Sequence, residues 1–280
     1  MSAVRYTDLT SSEVQGAIRG ATLLWPVGST EQHGPHLPLG VDSVLAEAFA
    51  TAIAERVHGL VLPTVTIGAR SLPQSGGGLS FPGTLYVAGP ELIRYLAEVL
   101  RSISQLPFAH LVVVNGHFEN EPLLLEALDE ACRSGGMIDR EVTAFSWWNL
   151  VDENWMRDQN AHFPGWHAEH AGHTETSLML HLQPELVRQD RPNHDTPPPP
   201  GIYLHPIDTA AASTDGVLSR TSEASAAAGA ALFDHIVQRA TNGVIAGLNS
   251  TAVPPRSTSS TPALARPERR APTASPMNSP

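Results

Sequence analysis

A short apolar run leads directly into polar side chains in Leu111-Val112-Val113-Val114-Asn115-Gly116-His117-Phe118-Glu119-Asn120. A continuous apolar run of this kind is typical of a strand that is buried on both faces. His117 and Glu119 stand two positions apart, immediately after this predicted strand. Ligand sites of α/β proteins form beyond the carboxyl ends of strands. The segment therefore predicts both a buried strand and a site at its end.

The same arrangement occurs earlier in the chain. Residues 21–27 form an apolar predicted strand, followed by Ser29-Thr30-Glu31-Gln32-His33-Gly34-Pro35-His36-Leu37-Pro38-Leu39-Gly40-Val41-Asp42. Glu31 and His33 are again two positions apart, so in an extended chain their side chains point to the same side. Asp42 opens the next predicted helix, where a carboxylate lies near backbone donors.

Two His/carboxylate pairs at two strand ends, together with Asp42, make five potential metal ligands. The pair Glu31 and His33 alone would favour an ordinary polar loop with a helix-capping Asp. Taken together, the five residues match what a dinuclear site needs, with one carboxylate bridging two divalent ions. We therefore expect metal binding.

Strands and helices alternate along the rest of the chain. The predicted strands span residues 21–27, 60–67, 111–115 and 141–147, and the predicted helices span residues 43–57, 90–104, 121–132, 175–182 and 223–239. Such alternation predicts an α/β fold, with a mostly parallel sheet flanked by helices on both faces.

The end of the chain differs in composition from the rest. Residues 249–280 are mostly Ser, Thr, Pro, Ala and Arg, which cannot bury enough apolar surface to offset their ordering entropy. We expect one folded domain over residues 1–248 and a disordered tail over residues 249–280. A run of four Pro at residues 197–200 predicts an extended surface linker.

The composition excludes several classes of function. All 17 basic residues are Arg, so Schiff-base and phosphate-loop lysines are impossible, and the single Cys132 allows no disulfide within the chain. A formal net charge of −11 argues against nucleic acid as a partner. The longest apolar run, residues 111–114, is too short to span a bilayer, and residues 1–8 resemble no secretory signal. We expect a cytoplasmic protein with neither a nucleic-acid nor a membrane partner.

Two further segments look functional. Gly165-Trp166-His167-Ala168-Glu169-His170-Ala171-Gly172-His173-Thr174-Glu175-Thr176 is dense in His and Glu, and it predicts a site wall that carries an acid/base group. Gln74-Ser75-Gly76-Gly77-Gly78-Leu79-Ser80-Phe81-Pro82-Gly83-Thr84 lacks the Gly-Lys-Ser/Thr ending of a phosphate loop. A flexible loop that contacts substrate is the better interpretation of this second segment.

With these motifs in this order, the chain resembles the creatininase family of amidohydrolases from about residue 20 to residue 245. The resemblance implies a three-layer, Rossmann-like fold and assembly as a homohexamer. It also implies two divalent ions per chain, Zn²⁺ with Mn²⁺ or Mg²⁺ possible at one site. It assigns five residues as metal ligands, namely Glu31, His33, Asp42, His117 and Glu119.

The resemblance also assigns roles within that set and around it. Asp42 would bridge the ions, with Glu31 and His117 on one and His33 and Glu119 on the other. His170 and Glu175 would be catalytic, with Glu175 a carboxylate near the ions. The residues expected to contact substrate are Ser75, Phe118, Trp148, Trp166 and His167. Phe118 stands where creatininase has Tyr, and His167 stands where it has Asp.

The resulting hypothesis is metal-assisted hydrolysis of a small amide, cyclic or guanidine-related as in the conversion of creatinine to creatine. Water activated between the ions attacks the amide carbon, and His170 protonates the leaving nitrogen. Two alternatives remain open. The first keeps the chemistry on another substrate, as a formamide hydrolase or a peptide-trimming hydrolase in a biosynthetic pathway. The second is a non-catalytic metal-binding scaffold.

Overall fold

Five parallel strands form the central sheet of the protein. The computed structural model describes residues 3–250 except residues 77, 136, 138–139 and 197–212. The described strands are β1 Val4–Arg5, β2 Thr22–Val27, β3 Leu60–Val61, β4 Gly68–Ala69, β5 Tyr86–Val87, β6 His110–Asn115 and β7 Glu141–Ser146. The central sheet has the order β1-β3-β2-β6-β7, and β4 pairs with β5 in a separate two-stranded parallel sheet.

Helices cover both faces of the central sheet. The described α-helices are α1 Ser11–Ala17, α2 Val41–Val57, α3 Pro73–Gly76, α4 Gly89–Ser104, α5 Asn120–Arg133, α6 Glu153–Gln159, α7 His173–Leu182 and α8 Ala226–Ser250. Single turns of 3₁₀ helix lie at Tyr6–Asp8, Gly78–Ser80, Trp147–Leu150, Trp166–Ala168 and Pro184–Leu186.

Alternate residues of the strands enter two separate cores. Leu24 and Val112 pack with α2, α7 and α8, whereas Leu23 and Leu111 pack with α4 and α5. Because successive side chains of a strand point to opposite faces, the middle of β2 and the middle of β6 are apolar on both faces. The predicted α/β fold, with a parallel sheet between helical layers, is confirmed.

The strand order reverses between β2 and β6. These neighbours pair in register from Thr22↔His110 to Val27↔Asn115, while β3 continues the sheet on the far side of β2 and β7 on the far side of β6. A crevice opens at such a reversal, because the connections leave in opposite directions. Both polar segments found in the sequence begin at this crevice.

Two glycines let the segments pack closely there. A Cβ at Gly116 would stand 2.2 Å from the backbone oxygen of Asp42, and a Cβ at Gly28 would stand 2.5 Å from the Cα of Ser43. Either contact is far inside van der Waals range. Gly116 and Gly28 therefore allow the loops after β6 and β2 to touch the first turn of α2.

The predicted strand over residues 60–67 is too long. β3 ends at Val61, and Val65 makes only an isolated bridge to Val27. Pro63 follows closely and has no N–H to give to a ladder, which accounts for the break. The β4–β5 sheet was not predicted, since two-residue strands carry no readable alternation.

Some predictions fall outside the described residues. These are the four-Pro run at residues 197–200 and the predicted tail, apart from residues 249–250, which end α8. Among the helices that are described, none combines the length and apolar character needed to cross a bilayer.

Candidate metal centre

The five predicted metal ligands converge at the crevice between β2 and β6. Four of them lie in the loops that follow these strands, and Asp42 lies in the first turn of α2. Their exposed fractions are small, at 2% for Glu31, 0% for His33, 2% for Asp42, 1% for His117 and 9% for Glu119. Charged residues are rarely buried this deeply unless they are paired or bind metal.

One group of ligand atoms combines Glu31, Asp42 and His117. Nδ1 of His117 lies 2.9 Å from Oε2 of Glu31 and 3.1 Å from Oδ2 of Asp42. One ligand atom from each residue lies within 4.8 Å of the others, as binding to a common ion requires.

A second group combines His33, Asp42 and Glu175. Nε2 of His33 lies 3.2 Å from Oδ1 of Asp42 and 3.6 Å from Oε2 of Glu175, again with one ligand atom each within a 4.8 Å set. Asp42 thus presents one oxygen to each histidine. The carboxylate beside His33 is Glu175, which differs from the expected pairing of His33 with Glu119.

The difference arises from tertiary packing. Glu175 lies in the first turn of α7, and its Oε2 accepts a hydrogen bond from the backbone N–H of Ala171 at 2.7 Å. Glu119 faces the other way, because its Oε1 accepts from the backbone N–H of Leu72 at 2.8 Å and from the hydroxyl of Ser75. Its Oε2 lies 3.4 Å from Nε2 of His117.

The histidine rings are oriented by backbone carbonyls. Nδ1 of His33 lies 3.1 Å from the oxygen of Glu31, and Nε2 of His117 lies 3.2 Å from the oxygen of Ala69. A ring nitrogen that donates to a carbonyl leaves the opposite nitrogen with a lone pair. In both residues the nitrogen so freed is the one that faces Asp42, which is the tautomer that a metal ligand requires.

Several buried polar atoms here have no hydrogen-bond partner among the described residues. They are Oε1 of Glu31, Nε2 of His33 and Oδ2 of Asp42. Leaving such atoms unsatisfied costs roughly 1–3 kcal/mol each, more when they are charged. Buried, unsatisfied carboxylate and imidazole atoms that converge are the donor set of a zinc or manganese site, so these residues fit the divalent ions that the sequence suggested.

When no cation is bound, protons on the histidines and on Glu31 offset the negative charge of the buried carboxylates. Burial lowers the pKa of His33, but the carboxylates of Asp42 and Glu175 outweigh it and hold that pKa well above its usual value. The pKa of His117 is raised in the same way by Glu31 and Glu119, against burial. Burial raises the pKa of Glu31 to about 7. Binding of cations would therefore release protons from this cluster.

His170 lies against the second group. Its ring centroid is 4.5 Å from that of His33, and its Nε2 lies 2.9 Å from both the backbone oxygen and the side-chain Nε2 of Gln32. Burial, reinforced by the positive charge of His33, holds the pKa of His170 well below its usual value. His170 is therefore a neutral imidazole, able to accept a proton at one nitrogen and donate at the other.

Two polar residues at the site were not assigned from the sequence. Gln32 is 4% exposed, and its side chain also donates to the backbone oxygen of Gly216 at 3.0 Å, so it connects His170 to the chain before α8. Glu169 accepts from Thr174 and Ser219 at 2.6–2.7 Å, and burial raises its pKa to about 7. The only signal was their position, each beside an assigned residue.

Aromatic side chains form the outer wall of the cavity over the ligands. The cavity has a volume of about 30 Å³, and all five predicted substrate residues line it: Ser75, Phe118, Trp148, Trp166 and His167. Phe118 and Trp148 have ring centroids 5.7 Å apart. Trp147 was not predicted but also lines the cavity, with its ring edge-on to Trp148 and Trp166. The predicted site residues are thus brought together, and their roles remain predictions.

Comparison with known proteins bears on this arrangement. Residues 7–244 match the family model for creatininase, described as creatinine amidohydrolase. The chain is 36% identical over 233 residues to creatinine amidohydrolase of Pseudomonas putida, covering 81% of this chain and 89% of that protein. It is also 36% identical over 240 residues to the mycofactocin precursor peptide peptidase of Mycobacterium ulcerans (strain Agy99), covering 81% and 86%.

Solved structures give the same result. A mutant creatininase complexed with creatine and a manganese form of creatininase each superpose with a TM-score of 0.81 at 34% identity, covering 86% of this chain and 97% of theirs. A mutant creatininase of Zn–Zn type superposes with a TM-score of 0.79 at 33% identity, covering 87% and 98%. The similarity spans nearly all of the residues that the structure describes.

Proposed function

The chain belongs to the creatininase family and is a hydrolase of carbon–nitrogen bonds, and from this premise we propose that it uses two divalent ions to hydrolyse a small amide, cyclic or guanidine-related. The observation that carries the proposal is the placement of Asp42, whose two oxygens lie beside His33 and His117. A carboxylate shared in this way is the usual bridge of a dinuclear site.

In this proposal Glu31, Asp42 and His117 hold one ion, and His33, Asp42 and Glu175 hold the other. Divalent ions bound there would supply Lewis acidity toward the amide carbonyl and lower the pKa of the attacking water. Glu119 lies next to the first group, where Ser75 and Leu72 fix its orientation. These metal ligands are borderline to hard, which suits zinc and manganese.

The remaining residues of the site position the substrate and move protons. Phe118, Trp148 and Trp166 enclose the amide and exclude water, which strengthens electrostatic interactions inside the cavity. His170 lies beside the second group, with its ring centroid 4.5 Å from that of His33, and its role in this proposal is to pass a proton to the leaving nitrogen. Gln32 keeps the imidazole in place.

The substrate is set by the cavity wall. Phe118 and His167 replace the Tyr and Asp of creatininase, so a phenol hydrogen bond and a partner for a cationic guanidine group are both missing. A related small amide that needs neither of these two contacts is therefore a better substrate for this chain than creatinine itself. Sites built around a polar group reject mismatched substrates by about 10⁴-fold or more.

The proposal is tested by loading the purified protein with Zn²⁺ or Mn²⁺ and measuring both ion content and turnover. The panel comprises creatinine, hydantoins, formamides and short peptides. Two ions per chain and turnover near 1 per second on one amide would support it. Less than one tightly bound ion per chain, with no amide hydrolysed, would favour the metal-binding scaffold instead.

Peptide trimming is the second candidate. It is favoured by the 36% identity to a precursor peptide peptidase and by a larger cavity that adjoins the site. A higher kcat/KM for a peptide than for the cyclic amides in the panel would support peptide trimming.

We further propose that the chain acts as a homo-oligomer, a hexamer by its family resemblance, in the cytoplasm. Leu79, Leu85 and Leu125 are 49–54% exposed, and a contact between subunits would cover these apolar side chains. Sedimentation analysis would give the mass of the assembly, and fractionation of the native cells would give its location.

A further inference from the structure

A second and much larger cavity opens beside the candidate metal centre. It has a volume of about 520 Å³, within the range of pockets that hold small ligands, whereas the cavity over the ligands has only about 30 Å³. Ser75, Phe118 and Glu119 line both cavities, so the two cavities adjoin each other.

The small volume of the inner cavity limits how much of a substrate can bind there. A single water needs at least about 10–15 Å³, so the inner cavity has room for little more than the reacting group. Any further part of a substrate must lie elsewhere, and the larger cavity is the adjoining space.

The larger cavity is apolar along most of its wall. The apolar contribution comes from Ala69, Leu72, Tyr86, Pro90, Pro122 and Leu123. These residues come from β4, β5, the start of α4 and the first turns of α5, so the wall is built on regular elements as well as on loops. An apolar wall of this kind favours an apolar ligand group.

One cation also lines this cavity. Arg70 follows β4 directly, is exposed, and forms no ion pair with any residue that the structure describes. Six other described arginines form ion pairs with carboxylates, for example Arg94 with Glu91 and Arg157 with Glu153. Arg70 is therefore free to bind an anion, and its guanidinium fits the two oxygens of a carboxylate.

We propose that the larger cavity is a subsite for an apolar substrate group that ends in a carboxylate, bound by Arg70. This inference rests on the proposed amide hydrolysis, and it defines the substrate class as amides whose nitrogen carries such a group, as in an N-acyl amino acid. For N-acetylphenylalanine, water adds across the amide. The C–N bond breaks, a C–O bond forms, and acetate and phenylalanine are released.

The first test measures the binding of two probes that cannot be hydrolysed. The probes are 3-phenylpropionate and 3-phenylpropanol, which share a ring but differ in the carboxylate and contain no amide. The affinity of each probe is measured by titration calorimetry on the metal-loaded protein. Arg70→Gln should lower the affinity for 3-phenylpropionate by about 5-fold, the upper value for an exposed ion pair, and should leave the affinity for 3-phenylpropanol unchanged. Arg19→Gln is the matched control, because Arg19 is exposed and lines neither cavity.

The second variant fills the cavity. Ala88 is exposed and lines it, so Ala88→Phe adds a ring without disturbing the core. This variant should weaken the binding of both probes by about 10-fold or more, because the added ring occupies the apolar space in which the probe's ring would be buried. Unchanged binding of both probes in both variants would overturn the proposal, as would a change in oligomer mass with Ala88→Phe, which would make the cavity a contact between subunits.

The third measurement separates this inference from the proposed function. The substrates are N-acetylphenylalanine, N-acetylphenethylamine and N-acetylglycine, and we expect the highest kcat/KM for the first. If all three are hydrolysed with equal kcat/KM, the enzyme is an amidohydrolase and the subsite is wrong. If none is hydrolysed but Arg70→Gln still weakens 3-phenylpropionate, the subsite stands and the proposed chemistry is wrong.

Discussion

The two cavities at the candidate site share three lining side chains, Ser75, Phe118 and Glu119, but differ in size, polarity and exposure to solvent. The inner cavity is small and surrounded by buried carboxylates and imidazoles, whereas the outer one is large, mostly apolar and open to solvent. Buried charges cannot be retained without strong compensation, so the inner cavity is fitted to one kind of chemistry. The outer cavity carries no such constraint, so it can vary with the substrate.

The largest effect is expected from replacing Asp42, the carboxylate that the two proposed ligand groups share. Asp42→Asn should reduce amide turnover to background and abolish binding of both ions, because Asp42 belongs to both of the groups proposed to hold them, Glu31–Asp42–His117 and His33–Asp42–Glu175. Substitution of residues that merely support metal ligands already costs about 10–100-fold, so loss of a shared ligand costs more. Ion content by plasma mass spectrometry and turnover are the measurements. Retention of two ions per chain would contradict the bridging role.

The next substitution tests proton transfer within the inner cavity. His170→Gln keeps a polar side chain beside Gln32 but cannot exchange a proton, so kcat should fall by about 10²–10⁴-fold with ion content unchanged. His173→Gln is the control, since His173 does not line the inner cavity. If turnover survives His170→Gln, another group moves the proton.

The pH dependence of the free energy of unfolding tests whether a charge is costly in the inner cavity. Burial raises the folded-state pKa of Glu169 to about 7, so its stabilising contribution is full below the unfolded pKa near 4.5 and is lost as pH rises through 7. Glu169→Gln removes this dependence. Between pH 5 and pH 8, in a chelator, wild type should lose about 2 kcal/mol more than the variant. Urea unfolding at several pH values measures the difference, and parallel profiles would show that Glu169 does not titrate in this range.

The smallest effect is expected where the two cavities meet. The pair Phe118→Tyr and His167→Asp restores a phenol and a carboxylate, and should raise kcat/KM for creatinine by at least about 10-fold, the effect of one hydrogen bond to a charged group. Both residues line the inner cavity, and Phe118 is shared with the outer one. Steady-state kinetics with creatinine and with N-acetylglycine give the comparison. An equal gain on both substrates would indicate a general effect on the site.

The sequence and the structure agree best where local patterns are strong. The apolar strands β2 and β6 and the helices α2, α4 and α5 were predicted within one or two residues of their bounds. Agreement is poorer for β3, where Pro63 ends a strand that composition alone would extend to residue 67. The strands β4 and β5 were not predicted, because each has only two residues and shows no periodicity in the sequence.

The parallel α/β sheet, the family and the two strand ends with His and carboxylate residues could all be predicted from the amino-acid sequence. They follow from short-range periodicity and from motifs contiguous in the chain. The carboxylate that faces His33 could not be predicted in this way, because Glu175 lies 142 positions away and α7 brings it there. Only the tertiary structure shows that Arg70 lines an apolar cavity beside the ligands, since a cavity forms between elements and has no signature along one chain segment.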